Sequence, residues 1–222
     1  MELYSEKAEI YFSNTRSDLI KLLPINANSK ILEIGSGGGD TLVEIKRRGL
    51  AAEVVGVELF SMPNTKQTDP AIDSFFICDI EKDFPQLQKE YFDVIICGDV
   101  LEHLLDPWSI VEELVKHLKP NGLIIASLPN FRFRSALFKV FFKGDFSYTK
   151  DGIFDKTHFR FFCKKNIVEL FTSRELSVQS IYPNFKFSDK AKRARFLNLF
   201  SLGVFEEFLA LQFLVVAKKR VI

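Results

Sequence analysis

Ile31-Leu-Glu-Ile-Gly-Ser-Gly-Gly-Gly-Asp40 is the stretch on which the fold turns. With Lys30 in front, its first part is an aliphatic run ending at Ile34, the length of a short buried strand. Four glycines follow among five residues, Gly35, Gly37, Gly38 and Gly39. Glycine tolerates positive φ and lets backbone approach a ligand closely. Asp40 and Thr41 then offer side-chain oxygens to cap a helix carrying Leu42, Val43 and Ile45. A strand, a glycine loop and a helix N-terminus, in that order, let an α/β protein turn backbone N–H groups toward a nucleotide-like ligand.

Outward from this stretch the chain alternates. Apolar runs predict strands at 30–34, 53–57, 74–78, 92–97 and 123–128, with amphipathic helices over 40–48 and 107–118. Near-continuous apolar strands separated by helices make a parallel sheet covered on both faces. Residues 1–23 read as one or two helices stopped by Pro24, and Tyr4, Tyr11 and Arg16 either line a ligand site or pack this segment on the body. After Pro129-Asn130 the regularity ends. Residues 131–162 hold eleven aromatics interleaved with Lys and Arg, and 190–209 read as an amphipathic insertion. A helix at 164–173 and strands at 178–182 and 212–217 close the chain.

The 222 residues predict a single domain, 1–222, with an N-terminal helical segment 1–29, a cofactor-binding core 30–130, and lid or substrate insertions at 131–162 and 184–210. Hydrophobic content of 47% and charged content of 27% suit a globular core. No apolar run nears the roughly 18 residues of a membrane span, and the N-terminus lacks the basic start and apolar centre of a signal peptide. Cys78, Cys97 and Cys163 are far apart and odd in number, which predicts a reduced, cytoplasmic protein. The net charge of +1 hides an asymmetry: residues 1–130 carry 12 Lys/Arg against 21 Asp/Glu, and residues 131–222 carry 18 against 8. The basic part either meets an anionic substrate or surface or pairs with the acidic part. Diluted by Phe, it matches no nucleic-acid module, so no nucleic-acid partner is expected.

Three acids end or follow successive strands: Glu33, Glu58 and Asp79. In a parallel sheet these ends open on one edge, where ligands bind. Glu58 lies 19 residues past Gly39, where a carboxylate takes both ribose hydroxyls. Asp79, one strand further out, is in reach of an adenine amino group. The dinucleotide fingerprint fails, because Asp40 stands where its third glycine belongs. A carboxylate before the glycines suits a ligand with an ammonium group and no phosphate, as in S-adenosylmethionine.

Ile31-Leu-Glu-Ile-Gly-Ser-Gly-Gly-Gly39, Val-Val-Gly-Val-Glu58, Phe92-Asp-Val-Ile-Ile-Cys-Gly-Asp-Val-Leu-Glu102-His103-Leu-Leu-Asp-Pro107 and Leu118-Lys-Pro-Asn-Gly122 resemble class I S-adenosylmethionine-dependent methyltransferases. The branch they resemble contains quinone-biosynthesis enzymes and many encoded with bacterial surface-polysaccharide genes. Gly152-Ile-Phe-Asp155-Lys-Thr-His158-Phe-Arg160-Phe-Phe is similar to a segment of the latter group. The resemblance covers residues 30–130, extends over 150–175, and holds elsewhere by layout. It implies a Rossmann-like, doubly wound, seven-stranded sheet with its last strand antiparallel. It also implies that Glu33, Gly35, Ser36, Gly37 and Gly39 hold the methionine part, Glu58 the ribose, and Asp79 with the Ile80 backbone the adenine. Cys97, Gly98 and Asp99 would run along the methionine and sulfonium. Ser36 departs from a cysteine frequent at that position.

For a hydroxyl acceptor the candidate bases are His103, after strand four, and His158, in the segment that would cover the site. His103 serves equally well as a residue orienting the loop. His117, beside Lys116 and Lys119, is expected to be solvated. No His/Asp/Glu set has metal-ligand spacing, Asp99, Glu102 and Asp106 being assigned to helix capping and surface, so no metal is expected. The expected reaction is O-methylation of a sugar or glycan precursor, phosphate-bearing in keeping with the basic C-terminal part. The alternatives are a quinone-like or other lipophilic acceptor, and a non-catalytic cofactor-binding scaffold. Phe138, Phe141 and Phe142 either belong to a lid or make peripheral contact with the inner membrane surface.

Overall fold

The computed structural model describes residues 14–185, 196 and 198–221. Its strands are β1 (Lys30–Ile34), β2 (Glu53–Glu58), β3 (Ser74–Ile77), β4 (Phe92–Gly98), β5 (Leu118–Pro129), β6 (Leu176–Asn184) and β7 (Gln212–Lys219). They form one sheet in the order β3-β2-β1-β4-β5-β7-β6. β1 to β5 pair in parallel, and β7 runs antiparallel to both of its neighbours. The seven-stranded, doubly wound sheet with an antiparallel last strand is thus as the sequence implies.

Helices α1 (Ser17–Ile20), α2 (Asp40–Arg47), α3 (Pro107–His117), α4 (Arg134–Leu137), α5 (Lys164–Leu170) and α6 (Glu206–Leu209) surround it. Alternate strand residues feed two cores. Leu32, Val55, Ile95 and Phe213 join Ile110 and Leu114 of α3 and Ile167 of α5. Ile31, Val54, Ile96 and Leu214 join Leu19 of α1 and Leu42 and Ile45 of α2 on the other face. β1 neighbours both β2 and β4, so the chain reverses its winding direction at β1/β4 and opens a crevice at their C-terminal ends.

Several boundaries shift. β3 stops at Ile77, which places Cys78 and Asp79 beyond the strand. β4–β5 pairing jumps from Phe92–Leu118 to Val94–Leu123. The Lys119–Gly122 turn loops out there, with Asn121 at φ 66. Helical structure in the described N-terminal part is confined to α1. Tyr4 and Tyr11 lie outside the described residues, as do 190–195 and 197 of the second insertion. The Phe-rich segment folds as α4 and then a π-turn, Phe138–Phe142. It has a small core of its own, Phe133, Ala136, Ile153 and Phe154. Phe141 and Phe142 point outward at 81% and 72% exposure. Among the described residues no helix is long and apolar enough to cross a membrane.

Candidate active site

β1 delivers Glu33 to the crevice at 3% exposure. Its Oε2 is buried without a hydrogen-bond partner among the described residues. Burial pushes the carboxyl up to about 8, against the opposing pull of the Arg16 guanidinium. The glycine loop follows, with positive φ at Gly35 (68), Gly37 (53) and Gly39 (87). Ser36 shapes the loop: its hydroxyl donates to Glu33 O at 2.7 Å and accepts from Val57 N at 3.1 Å. The expected side-chain cap does not form. Left-handed Gly39 occupies the N-cap position without a side chain to offer. Asp40 instead pairs with Lys66 at 2.6 Å, and Thr41 Oγ1 accepts from Arg16 N at 3.2 Å.

Glu58, at the end of β2, accepts from Gly37 N through Oε2 at 2.8 Å and from Leu59 N through Oε1 at 2.7 Å. Burial raises its pKa while these N–H groups oppose the rise. These bonds, with the Phe60 backbone also on the carboxylate, fix its plane at the loop. Asp79 sits two residues past β3, pairing with Lys82 at 2.7 Å and accepting from Glu81 N. That Lys82 hydrogen bond, with help from Glu81 N, holds its carboxyl below the usual range. Ile80 follows it, half-buried.

β4 ends in Cys97 and Gly98, and Asp99 follows it. Cys97 is fully buried, and burial pushes its thiol well up, so it is no nucleophile. A Cβ on Gly98 would lie 3.0 Å from Arg16 Nη1. Asp99, at φ 56, accepts from Arg16, Ser127 and Gln212 at 2.8–2.9 Å. Arg16 therefore ties the segment before α1 to the body beside the crevice, the packing alternative the sequence left open for it.

The structure brings His103 and His158 together across 55 positions, ring centroids 4.7 Å apart. His103 follows β4 in a 3-10 turn, Leu101–His103. His158 arrives on the loop after the Phe-rich segment, which is latched by Phe159 N and Arg160 N, both donating to Glu102 O at 2.9 and 3.0 Å. Glu102 itself is 1% exposed, not a surface residue as its setting suggested. His158 Nε2 lies 4.0 Å from Glu102 Oε1. Asp106 does cap a helix, accepting from Ser109 N and Oγ. His117 is 4% exposed, correcting the solvated expectation: its ring stacks on Phe84, with Nδ1 3.1 Å from Gln88 O. No spacing rule reveals the Glu102–His158 meeting, because the two lie on segments separated by β5 and the insertion.

A family model described as "Methyltransferase domain" matches residues 8–181. The ubiquinone biosynthesis O-methyltransferase of Hydrogenovibrio crunogenus is 28% identical over 132 residues, 57% of this chain and 53% of that protein. Its namesake from Neisseria meningitidis is 32% identical over 108 residues, 46% and 44%. The chain thus spans about half the length of the curated relatives it matches. An S-adenosylmethionine-dependent methyltransferase from Archaeoglobus fulgidus superposes with a TM-score of 0.62 at 16% identity, covering 98% of this chain and 97% of that one. One from Mesorhizobium loti gives 0.63 at 14%, covering 90% and 95%. A [4+2]-cyclase also shares the fold, at TM-score 0.61 and 13% identity, covering 96% and 81%, so the fold alone does not name the reaction. The family model, however, spans most of the chain, from before α1 to within β6, and the protein belongs to the methyltransferase domain family.

Proposed function

We propose that this protein transfers the methyl group of S-adenosylmethionine to a hydroxyl of a lipophilic, quinone-like acceptor. The observation that carries the reading is Glu33: a buried carboxyl with an oxygen that has no partner among the described residues, at the mouth of a glycine loop, suited to a cationic ligand group. The surrounding residues fit the rest of that cofactor. Arg16 supplies the charge for its carboxylate, Glu58 the acceptors for its ribose diol, Asp79 and Ile80 the edge for its adenine. Gly98 keeps the methionine path clear. Lone phosphate-binding chemistry fits less well beside Glu33, Glu58 and Asp79.

The cofactor brings an activated methyl on a sulfonium. The protein aligns the acceptor with it, and such alignment supplies roughly 7–11 kcal/mol of the barrier. His103 and His158 manage the hydroxyl proton, typically worth about 10²–10⁴-fold. The acceptor side is aromatic: Phe131, Phe146, Phe154 and Phe161 pack with centroids 5.2–5.9 Å apart on the segment that carries His158. That surface and the printed names of the relatives favour a lipophilic acceptor. Exposed Phe141 and Phe142, in the part of the chain with 18 Lys/Arg against 8 Asp/Glu, suit contact with an anionic membrane holding such a substrate. The same positive charge favours the second reading, a phosphate-bearing sugar precursor.

Thermal-shift titration with the cofactor and its demethylated product tests the first half, and absence of any shift in folded protein removes it. Labelled methyl transfer to a catechol-type polyprenyl phenol and to nucleotide sugars decides the acceptor. Sedimentation with phosphatidylglycerol vesicles, compared between wild type and Phe141→Ser/Phe142→Ser, tests the membrane contact.

A further inference from the structure

Ile153 and Thr157 each lend a backbone carbonyl to one of the two histidines. His103 Nδ1 lies 2.9 Å from Thr157 O and His158 Nδ1 lies 3.0 Å from Ile153 O. A carbonyl only accepts, so both Nδ1 atoms carry the proton and both basic lone pairs fall on Nε2. One short loop thus sets the tautomers of both rings. Asp155 stands midway between the two carbonyls in sequence, at 1% exposure. Its Oδ1 accepts from Thr157 N at 2.9 Å and from Thr157 Oγ1 at 2.7 Å. Its carbonyl accepts from His158 N at 2.9 Å. The peptide joining Thr157 to His158 is therefore held at both ends, its N–H by Asp155 O and its C=O by His103 Nδ1. The turn closes through the main chain alone, by Asp155 N to Gly152 O and His158 N to Asp155 O. The enclosed Asp155 carboxylate adds the orientation of Thr157.

We propose that Asp155 is a positioning residue for proton transfer. Through Thr157 it aims the carbonyl that holds His103 with Nε2 bare, and it anchors the loop whose Ile153 carbonyl does the same for His158. A proton leaving the acceptor hydroxyl then arrives on an Nε2 lone pair, and Nδ1–H goes on donating to its carbonyl. Neither ring has to turn or exchange its own proton first. On His158 the Nε2 lies 4.0 Å from Glu102 Oε1, so an imidazolium formed there meets a carboxylate. The catalytic purpose rests on the proposed methyl transfer to a hydroxyl; the tautomers do not.

The test reads the tautomers directly, by long-range proton–nitrogen NMR on the full chain labelled with ¹⁵N-histidine, above the pH at which the rings titrate and without cofactor or acceptor. The chain has three histidines, so the spectrum is simple. His117 is the internal control: its Nδ1 lies 3.1 Å from Gln88 O, away from this loop. Wild type is expected to show Nδ1–H on all three rings. Asp155→Ala should mix the His103 tautomers and leave His117 unmoved. Thr157→Val removes only the Oγ1 bond, so it should act in the same direction more weakly and keeps the test decisive should Asp155→Ala fail to fold. Thr157→Ser should restore the wild-type pattern. In transfer assays Asp155→Ala should lower kcat about 10-fold or more, part of the roughly 10²–10⁴-fold a positioned base supplies, with KM and the cofactor thermal shift unchanged. Nε2–H on His103 or His158 in wild type overturns the proposal, as does a His103 signature that survives both Thr157→Val and a folded Asp155→Ala. Movement of His117 together with His103 also overturns it, because that is general loosening. Wild type that keeps these tautomers but transfers no methyl group refutes the proposed reaction instead.

Discussion

Arg16 Nη1 lies 2.8 Å from Asp99 Oδ2, joining the segment before α1 to the end of β4 across 83 residues of sequence. The contact is the centre of a network. Arg16 Nη2 also donates to Ser127 Oγ at 2.9 Å, and Asp99 Oδ1 accepts from Ser127 and from Gln212. Three strands and the N-terminal segment thus meet at one carboxylate beneath the crevice. Asp18 takes the Nε/Nη2 edge of the guanidinium.

Arg16→Ala is therefore expected to destabilise the protein by about 1.5–3 kcal/mol, the scale of lost charge-assisted hydrogen bonds at a partly buried site. It should also weaken cofactor binding, because the counter-charge beside Glu33 and Asp99 is gone. Thermal unfolding and calorimetry check both. An unchanged midpoint would mean the network is ornamental to the fold.

Glu33 makes stability and binding depend on pH in opposite directions. Its folded value of about 8 stands above the ordinary 4.5. Between those values the folded chain keeps a proton that the unfolded chain has lost, so stability falls as pH rises through that window and levels off above it. Glu33→Gln removes this dependence, and its advantage over wild type should grow from pH 5 to pH 8 toward the order of 4 kcal/mol. Cofactor affinity of wild type should rise over the same range, because an ammonium group needs the carboxylate, with proton uptake by buffer visible in calorimetry. Denaturation curves at several pH values decide it: parallel trends for the two proteins refute the assignment.

Glu58→Ala removes acceptors for Gly37 N and Leu59 N as well as those offered to a ribose. It should abolish the cofactor-induced thermal shift. Glu58→Gln can keep one backbone bond while losing the charge, and should retain the fold with cofactor affinity down by about 10–100-fold, the scale of one charge-assisted bond. Retention of full affinity in both variants would place the ribose elsewhere.

The layout of the crevice edge was legible because its residues are local. Glu33, Glu58 and the glycines each sit at a fixed offset from an apolar strand, and strands β1, β2 and β4 announce themselves by aliphatic runs. The helix cap failed for a local reason too: Gly39 already turns the chain into α2, freeing Asp40 and Thr41 for Lys66 and Arg16. What sequence could not reveal is long-range. Glu102 reads as a polar residue near a helix start until the 153–160 loop closes over it. His117 reads as solvated between two lysines until Phe84 covers it. Such burial is decided by which loop returns, and no periodicity encodes that.

Gly35 offers the sharpest steric prediction. A Cβ there would lie 2.0 Å from Val100 Cγ2, and φ is +68. Gly35→Ala should thus suffer twice, from left-handed strain of about 1–2 kcal/mol and from overpacking of about 1–3 kcal/mol. The two causes separate in a double-mutant cycle. Val100→Ala removes the clashing methyl, whereas Val100 Cβ, at 3.3 Å, stays near contact. The double variant should be more stable than the sum of the single effects predicts, by about 0.5–3 kcal/mol, with the strain remaining. Simple additivity in denaturant titrations would show that the loop yields to the new methyl, and that Gly35 is required for its φ alone.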